Sequence, residues 1–194
     1  MKRFTNVKSG GVILTLLLLA LVSGSVWGQE TYQRVTSVSE LEAEKSFLIV
    51  NVDDQGRCIA LSNEQKKNNR GAVAVILAND KITLEQNSMA CQLVLKGSSS
   101  VGWSFYDEVN GGYLYAASSS GNYLKTQSTL DDDGRADIRF EANIATITFK
   151  GTNKRNVMQY NPNNGSPLFA CYGSESQKPL QLFKKVESIG NQVA

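Results

Sequence analysis

Tyr106, Tyr113, Tyr115 and Tyr123 lie close in sequence to Asn122, Lys125 and Gln127. A flat aromatic ring can stack on the apolar face of a pyranose while amides and an ammonium group bond its hydroxyls. Tyr106, Tyr113, Tyr115, Asn122, Tyr123 and Lys125 are therefore the candidate ligand-binding residues. The same rings could instead stabilise a sheet as cross-strand pairs, at about 0.2–1 kcal/mol per pair. The facing of Tyr160 and Tyr172 is not set by their local sequence.

The chain of 194 residues contains no histidine. That removes Ser-His-Asp and Cys-His relays, imidazole general bases and imidazole metal ligands. Carboxylates are left as the main acid–base option, and Asp131-Asp132-Asp133-Gly134 is their densest run. A calcium loop needs oxygen ligands at alternate positions and a distant bidentate Glu, a spacing absent here. A solvated Asp-Gly turn at a hairpin tip accounts for the run, and Asp53-Asp54 reads the same way. The basic clusters Lys66-Lys67-Asn68-Asn69-Arg70 and Lys154-Arg155 lack the interleaved aromatics of single-strand nucleic-acid sites, so solvated loops are expected and nucleic acid is not. Gly111-Gly112 falls inside a hairpin rather than between a strand and a helix, which excludes a phosphate-binding loop. No metal or cofactor is expected, and no catalytic residue is assigned. Cys58, Cys91 and Cys171 sit in apolar runs, as small core residues do. In an oxidising compartment a disulfide between two of them stays open.

Stepping along the chain, short apolar–polar alternations bounded by Gly, Asn, Asp and Ser indicate an all-β protein. Only Ser37 to Lys45 offers a turn or two of helix. The clearest hairpin is Trp103 to Ala117, turning at Asn110-Gly111, a pair that tolerates positive φ. Pairing outward from that turn sets Tyr106 opposite Tyr115 and Phe105 opposite Ala116. Alternation puts Trp103, Phe105, Leu114 and Ala116 on the core face, and Ser104, Tyr106, Tyr113 and Tyr115 on the other. Polar connections are expected at Asn63 to Gly71, Ser118 to Asn122, Leu130 to Gly134 and Asn161 to Pro167.

The hairpin recurs. Leu48, Val50 and Ile59 stand 55 residues before Trp103, Phe105 and Leu114, and Ile147, Phe149 and Met158 stand 44 after them. Closing strands Leu93-Val94-Leu95, Ile138-Arg139-Phe140 and Leu182-Phe183-Lys184 follow at intervals of 45 and 44 residues. Three such units suggest a β-trefoil-like closed barrel, with a β-sandwich or another small barrel as the alternative. A hydrophobic share of 41% and a charged share of 20% fit a packed domain. The expected organisation is one all-β domain over 29–186 and a frayed tail over 187–194.

Residues 1–28 read as a signal peptide. Lys2, Arg3 and Lys8 precede an apolar run from Val12 to Val22, and Val26 and Gly28 suit the positions three and one before a cut. The run is too short to span a bilayer, so export without a stable membrane anchor is expected, to the periplasm, cell surface or medium. Cleavage would remove three of the 20 basic residues and none of the 18 acidic ones, taking the formal charge from +2 to −1. A near-neutral domain has no global field for nucleic acid or anionic lipid.

The segment GWSFYDEVNGGYLYAASSSGNYLKTQSTLDDDG, continued by GTNKRNVMQYNPNNGSPLFACY, resembles a small β-rich module of secreted proteins from Bacteroidetes-type bacteria. The resemblance covers roughly Tyr32 to Val186 and is strongest from Trp103 to Tyr172. The module often lies near the C-terminus of larger proteins, nuclease-like ones included, whereas here it stands alone after its signal. The family has no settled activity and supplies no catalytic residues. It implies export and an accessory or binding role. The sequence thus leads to a secreted, non-enzymatic module that binds carbohydrate through exposed tyrosines. The alternatives are a protein-binding module or inhibitor acting through a loop such as Asn63 to Arg70 or Asn161 to Pro167, and, more remotely, a carboxylate-only hydrolase.

Overall fold

The computed structural model describes residues 29–163 and 165–187. Residues 1–28, expected to be a signal peptide, and residues 188–194 of the expected tail lie outside this range. Strand β1 (Glu30–Val35) leads into a single 3-10 turn (Val38–Glu40) where the short helix was expected. There follow β2 (Ser46–Val52), β3 (Cys58–Gln65), β4 (Arg70–Val75), β5 (Leu77–Ala78), β6 (Lys81–Leu84) and β7 (Leu93–Ser98). The chain continues through β8 (Gly102–Asp107), β9 (Gly112–Ala116), β10 (Leu124–Gln127) and β11 (Ala136–Glu141). It ends with β12 (Ile144–Phe149), β13 (Val157–Asn161), β14 (Leu168–Tyr172) and β15 (Gln181–Lys185). The protein is all-β, and every strand pairing is antiparallel. Among the described residues no helix is long and apolar enough to cross a membrane.

Pairing runs from β2 to β7, β8, β11 and β12, then returns through the Ala145–Leu180 bridge to β15 and β2. The lacing is uneven. β7 and β8 share six register pairs, whereas β8 and β11 meet only at Trp103 and Ala136. Each of β2, β8 and β12 also pairs with the strand after it, and β3–β4, β9–β10 and β13–β14 form further hairpins.

The main core is filled from all these strands, by Phe47, Ile49, Leu93, Leu95, Trp103, Phe105, Leu114, Ile147, Phe149, Met158 and Leu182 among others. A second cluster joins Tyr32, Ile82 and Leu84 to Leu48, Val50, Cys58, Ala60 and Phe183. This corrects the first unit of the sequence alignment: Phe47 and Ile49, not Leu48 and Val50, share the core of Trp103 and Phe105. The cause is that β1 and β6 cover the outer face, so Phe47 through Val50 are all buried and alternation carries no phase.

Two other expectations change. The hairpin pairs Tyr106 with Tyr113 and Asp107 with Gly112, so a four-residue loop replaces the expected two-residue turn. Asp107 explains the shift: its Oδ1 accepts from the backbone N–H groups of Val109 and Asn110 at 3.0 and 3.1 Å, and its Oδ2 from Asn110 Nδ2 at 2.8 Å. Because the slip is even, the faces survive. Trp103, Phe105, Leu114 and Ala116 are buried and the three tyrosines half-exposed, but Ser104 is also buried.

The Asn63 to Gly71 connection is mostly strand, leaving a turn at Lys66–Asn69 closed by a 2.8 Å bond from the Lys66 N–H to the Asn69 carbonyl. Arg70, expected in a solvated cluster, is fully buried because Asp107 awaits it. The Asp131–Gly134 turn joins β10 to β11, strands that pair elsewhere, so it is not a hairpin tip.

Candidate functional site

The tyrosine face is built on the outer side of β8, β9 and β10. Register sets Tyr106 beside Tyr113, Tyr113 beside Gln127, and Tyr115 beside Lys125. The rings of Tyr106 and Tyr113 meet edge to face at 5.0 Å and 65°. Lys96 of β7 places its ammonium 5.1 Å from the centre of the Tyr106 ring. Both contacts order the rings before any ligand arrives, and both cover part of the ring surface that a sugar would use. Tyr106, Tyr113, Tyr115 and Lys125 are thus brought together, each half-exposed.

Asn122 closes the Ser118–Asn122 loop, and Tyr123 links it to β10. Asn122 Oδ1 accepts a hydrogen bond from Arg155 Nη1 at 2.6 Å, so its amide is partly committed. The Tyr123 ring lies over Gly121, where an added Cβ would come within 2.5 Å of Cε1, and the loop bends this closely only because that residue has no side chain.

A concave site exists elsewhere. A cleft of about 390 Å³ is lined by the Asp53–Arg57 turn between β2 and β3, by Asn51, Ile59, Tyr160 and Lys178, and by Pro162 and Pro167. The turn is shaped by Asp53. Its Oδ1 accepts from the N–H groups of Gln55 and Arg57 at 3.0 and 2.9 Å, and its Oδ2 meets Arg57 Nε at 2.6 Å. Tyr160 is buried, with its ring tilted against Phe169 at a centroid distance of 5.2 Å, and burial pushes its phenol pKa up. Asn51 donates Nδ2 to the Pro179 carbonyl at 2.8 Å. Sequence reasoning missed this site because its residues come from three distant segments. Only the β13–β14 register and the Tyr160–Lys178 bridge bring Lys178 beside Tyr160.

No family model and no curated protein matches the chain. Among solved structures it is similar to a lysenin pore, at 12% identity and a TM-score of 0.48, over 79% of this chain and 50% of that one. It is also similar to a complex of lysenin with phosphocholine, at 12% identity and a TM-score of 0.48, over 81% of this chain and 48% of that one. The chain thus spans about half the length of these structures.

Among the described residues four carboxyl groups have their pKa displaced from the ordinary carboxylate range. Asp53, Asp107, Glu40 and Glu187 are all moved down. For Asp53 and Asp107 burial pulls upward, but hydrogen bonds from Arg57 and the turn amides, and from Asn110 and Arg70, outweigh it. Glu40 is held down by the Thr36 and Ser37 donors, Glu187 by Lys45. Among the described residues no three carboxylates or thiols converge as a metal site. Cys58, Cys91 and Cys171 are buried, each with a free thiol.

Proposed function

We propose that the chain is an exported, non-enzymatic carbohydrate-binding module with a β-trefoil-like architecture. The architecture is supported by the returning path β2–β7–β8–β11–β12–β15 and by the three hairpins β3–β4, β9–β10 and β13–β14. Core pairs recur at matching places: Phe47 and Ile49, Trp103 and Phe105, Ile147 and Phe149.

The observation that carries the function is the alignment of Tyr106, Tyr113 and Tyr115 with Lys125 and Gln127 on one outer face. Stacking on a sugar ring and bonding to its hydroxyls need this mixture, and modest affinity per site is expected at so shallow a surface. The test is a glycan array probed with the wild type and with a variant carrying Tyr106, Tyr113, Tyr115 and Tyr123→Ser. A hit that falls at least tenfold in the variant supports the tyrosine face. Binding left unchanged in the variant removes it.

A protein-binding role is favoured by a different observation. Val109 and Met89 are 69% and 53% exposed, and both flank Asn63, which accepts from Asn110 Nδ2 and donates to the Met89 carbonyl. An empty array with a partner lost on replacement of Lys66–Asn69 would move the function there.

A further inference from the structure

We propose that the cleft between the Asp53–Arg57 turn and Tyr160 is a second binding site, for the neutral end of a saccharide, separate from the tyrosine face. Two polar side chains at its floor are more than nine-tenths buried and incompletely bonded. Tyr160 is 6% exposed, and its hydroxyl makes no hydrogen bond to any described residue. Asn51 is 4% exposed; its Nδ2 is committed to Pro179, while its Oδ1 receives no donor from the described residues. Neither oxygen is sealed from solvent, so both stay free to bond a hydroxyl that enters the cleft.

The rim indicates what that partner is. Asp53 and Arg57 neutralise one another, which leaves the Asp54 carboxylate and the Lys178 ammonium to face an incoming molecule. Two acids against two bases favour no net charge on the ligand. A phosphate or polyanion would have to approach two carboxylates. A sugar hydroxyl both donates and accepts, and so matches an acceptor, a phenol, a carboxylate and an ammonium at once. Ile59, Pro162 and Pro167 supply apolar wall for the C–H face of a pyranose. The volume of about 390 Å³ lies in the range of small-molecule sites.

The experiment is ligand-observed saturation-transfer NMR on the protein expressed from its full-length sequence. The probes are the methyl glycosides of glucose, galactose, mannose and N-acetylglucosamine. At least one should bind, with affinity falling roughly tenfold in Tyr160→Phe, which removes one hydroxyl and keeps the ring in the core. The surface variant Asp54→Asn with Lys178→Gln should weaken the same glycoside without touching the core. In the four-tyrosine background, where the tyrosine face is gone, the remaining glycoside binding should still fall roughly tenfold on Tyr160→Phe. If no glycoside binds, or if binding survives both cleft variants, the cleft is not a saccharide site. Loss confined to the four-tyrosine variant would likewise overturn the cleft while leaving the tyrosine face standing.

Discussion

Arg70 and Asp107 are both fully buried and meet at 2.7 Å. Arg70 also donates to Thr126 Oγ1 at 3.0 Å and to the Ser62 carbonyl at 2.9 Å, and touches Cys91 Sγ at 3.4 Å. Taking two charges out of water is expensive, so the pair adds little net stability compared with an apolar pair of the same shape. Breaking it is another matter, because the surviving charge stays buried alone. Asp107→Asn should therefore cost about 3–5 kcal/mol at neutral pH. Asp107 has its pKa held down by Asn110 and Arg70 against the upward pull of burial. Its contribution is complete above the unfolded carboxylate pKa of about 3.9 and drains away as pH falls through the lower folded value. Urea unfolding of both proteins from pH 7 to pH 3 should show a gap that is constant near neutrality and narrows below about pH 4. A gap independent of pH down to that limit would mean that the ionised carboxylate is not what matters.

At the scale of elements, what could be read from sequence depended on how many faces a strand buries. β8 and β9 cover the core with one face, so Trp103, Phe105, Leu114 and Ala116 declared themselves by alternation. β2 is buried on both faces, and its continuous apolar run Phe47 to Val50 could not reveal which residues point to the main core. The register of β8 on β9 was misjudged because Asn110-Gly111 is a strong local signal, yet Asp107 organises a wider loop through bonds that depend on its place beside Arg70. Arg70 looked like a surface base for the same reason: its partner is remote in sequence. The cleft was illegible because Asn51, Tyr160 and Lys178 carry no local pattern. Turn geometry can be tested at this scale. Gly97, paired with Trp103, has φ +90°, and a Cβ there would lie 2.3 Å from the Gly102 carbonyl oxygen. Gly56 has φ +76° with nothing within 4 Å. Gly97→Ala should cost about 2–3 kcal/mol, from a clash added to dihedral strain. Gly56→Ala should cost about 1–2 kcal/mol, from strain alone. Equal losses in urea unfolding would show that the β7–β8 turn relaxes around the added methyl.

At the scale of the molecule, the two apolar clusters pose a question of cooperativity, and the three thiols report on it. Cys91 and Cys171 lie in the main core, Cys58 in the cluster covered by β1 and β6. Burial is the leading cause of each raised pKa: Cys91 is pushed up to about 12, and Cys58 and Cys171 also move upward. Thiolate is the reactive form, so none should react with a disulfide reagent in the closed protein. Each reaction then measures the opening that exposes that sulfur. Cys58 opens β3 directly after the exposed Asp53–Arg57 turn, and the two-residue β5 and four-residue β6 give its cluster only a thin outer cover. Cys171 sits within β14, paired with Met158 of β13, and Cys91 is held against Arg70. Cys58 should consequently label first, by an opening that needs little denaturant, while Cys91 and Cys171 label together at the rate of global unfolding. Mass-resolved labelling across low urea concentrations separates the cases. One common rate for all three would mean that β1, β5 and β6 are locked to the main core and that the chain unfolds as a single unit.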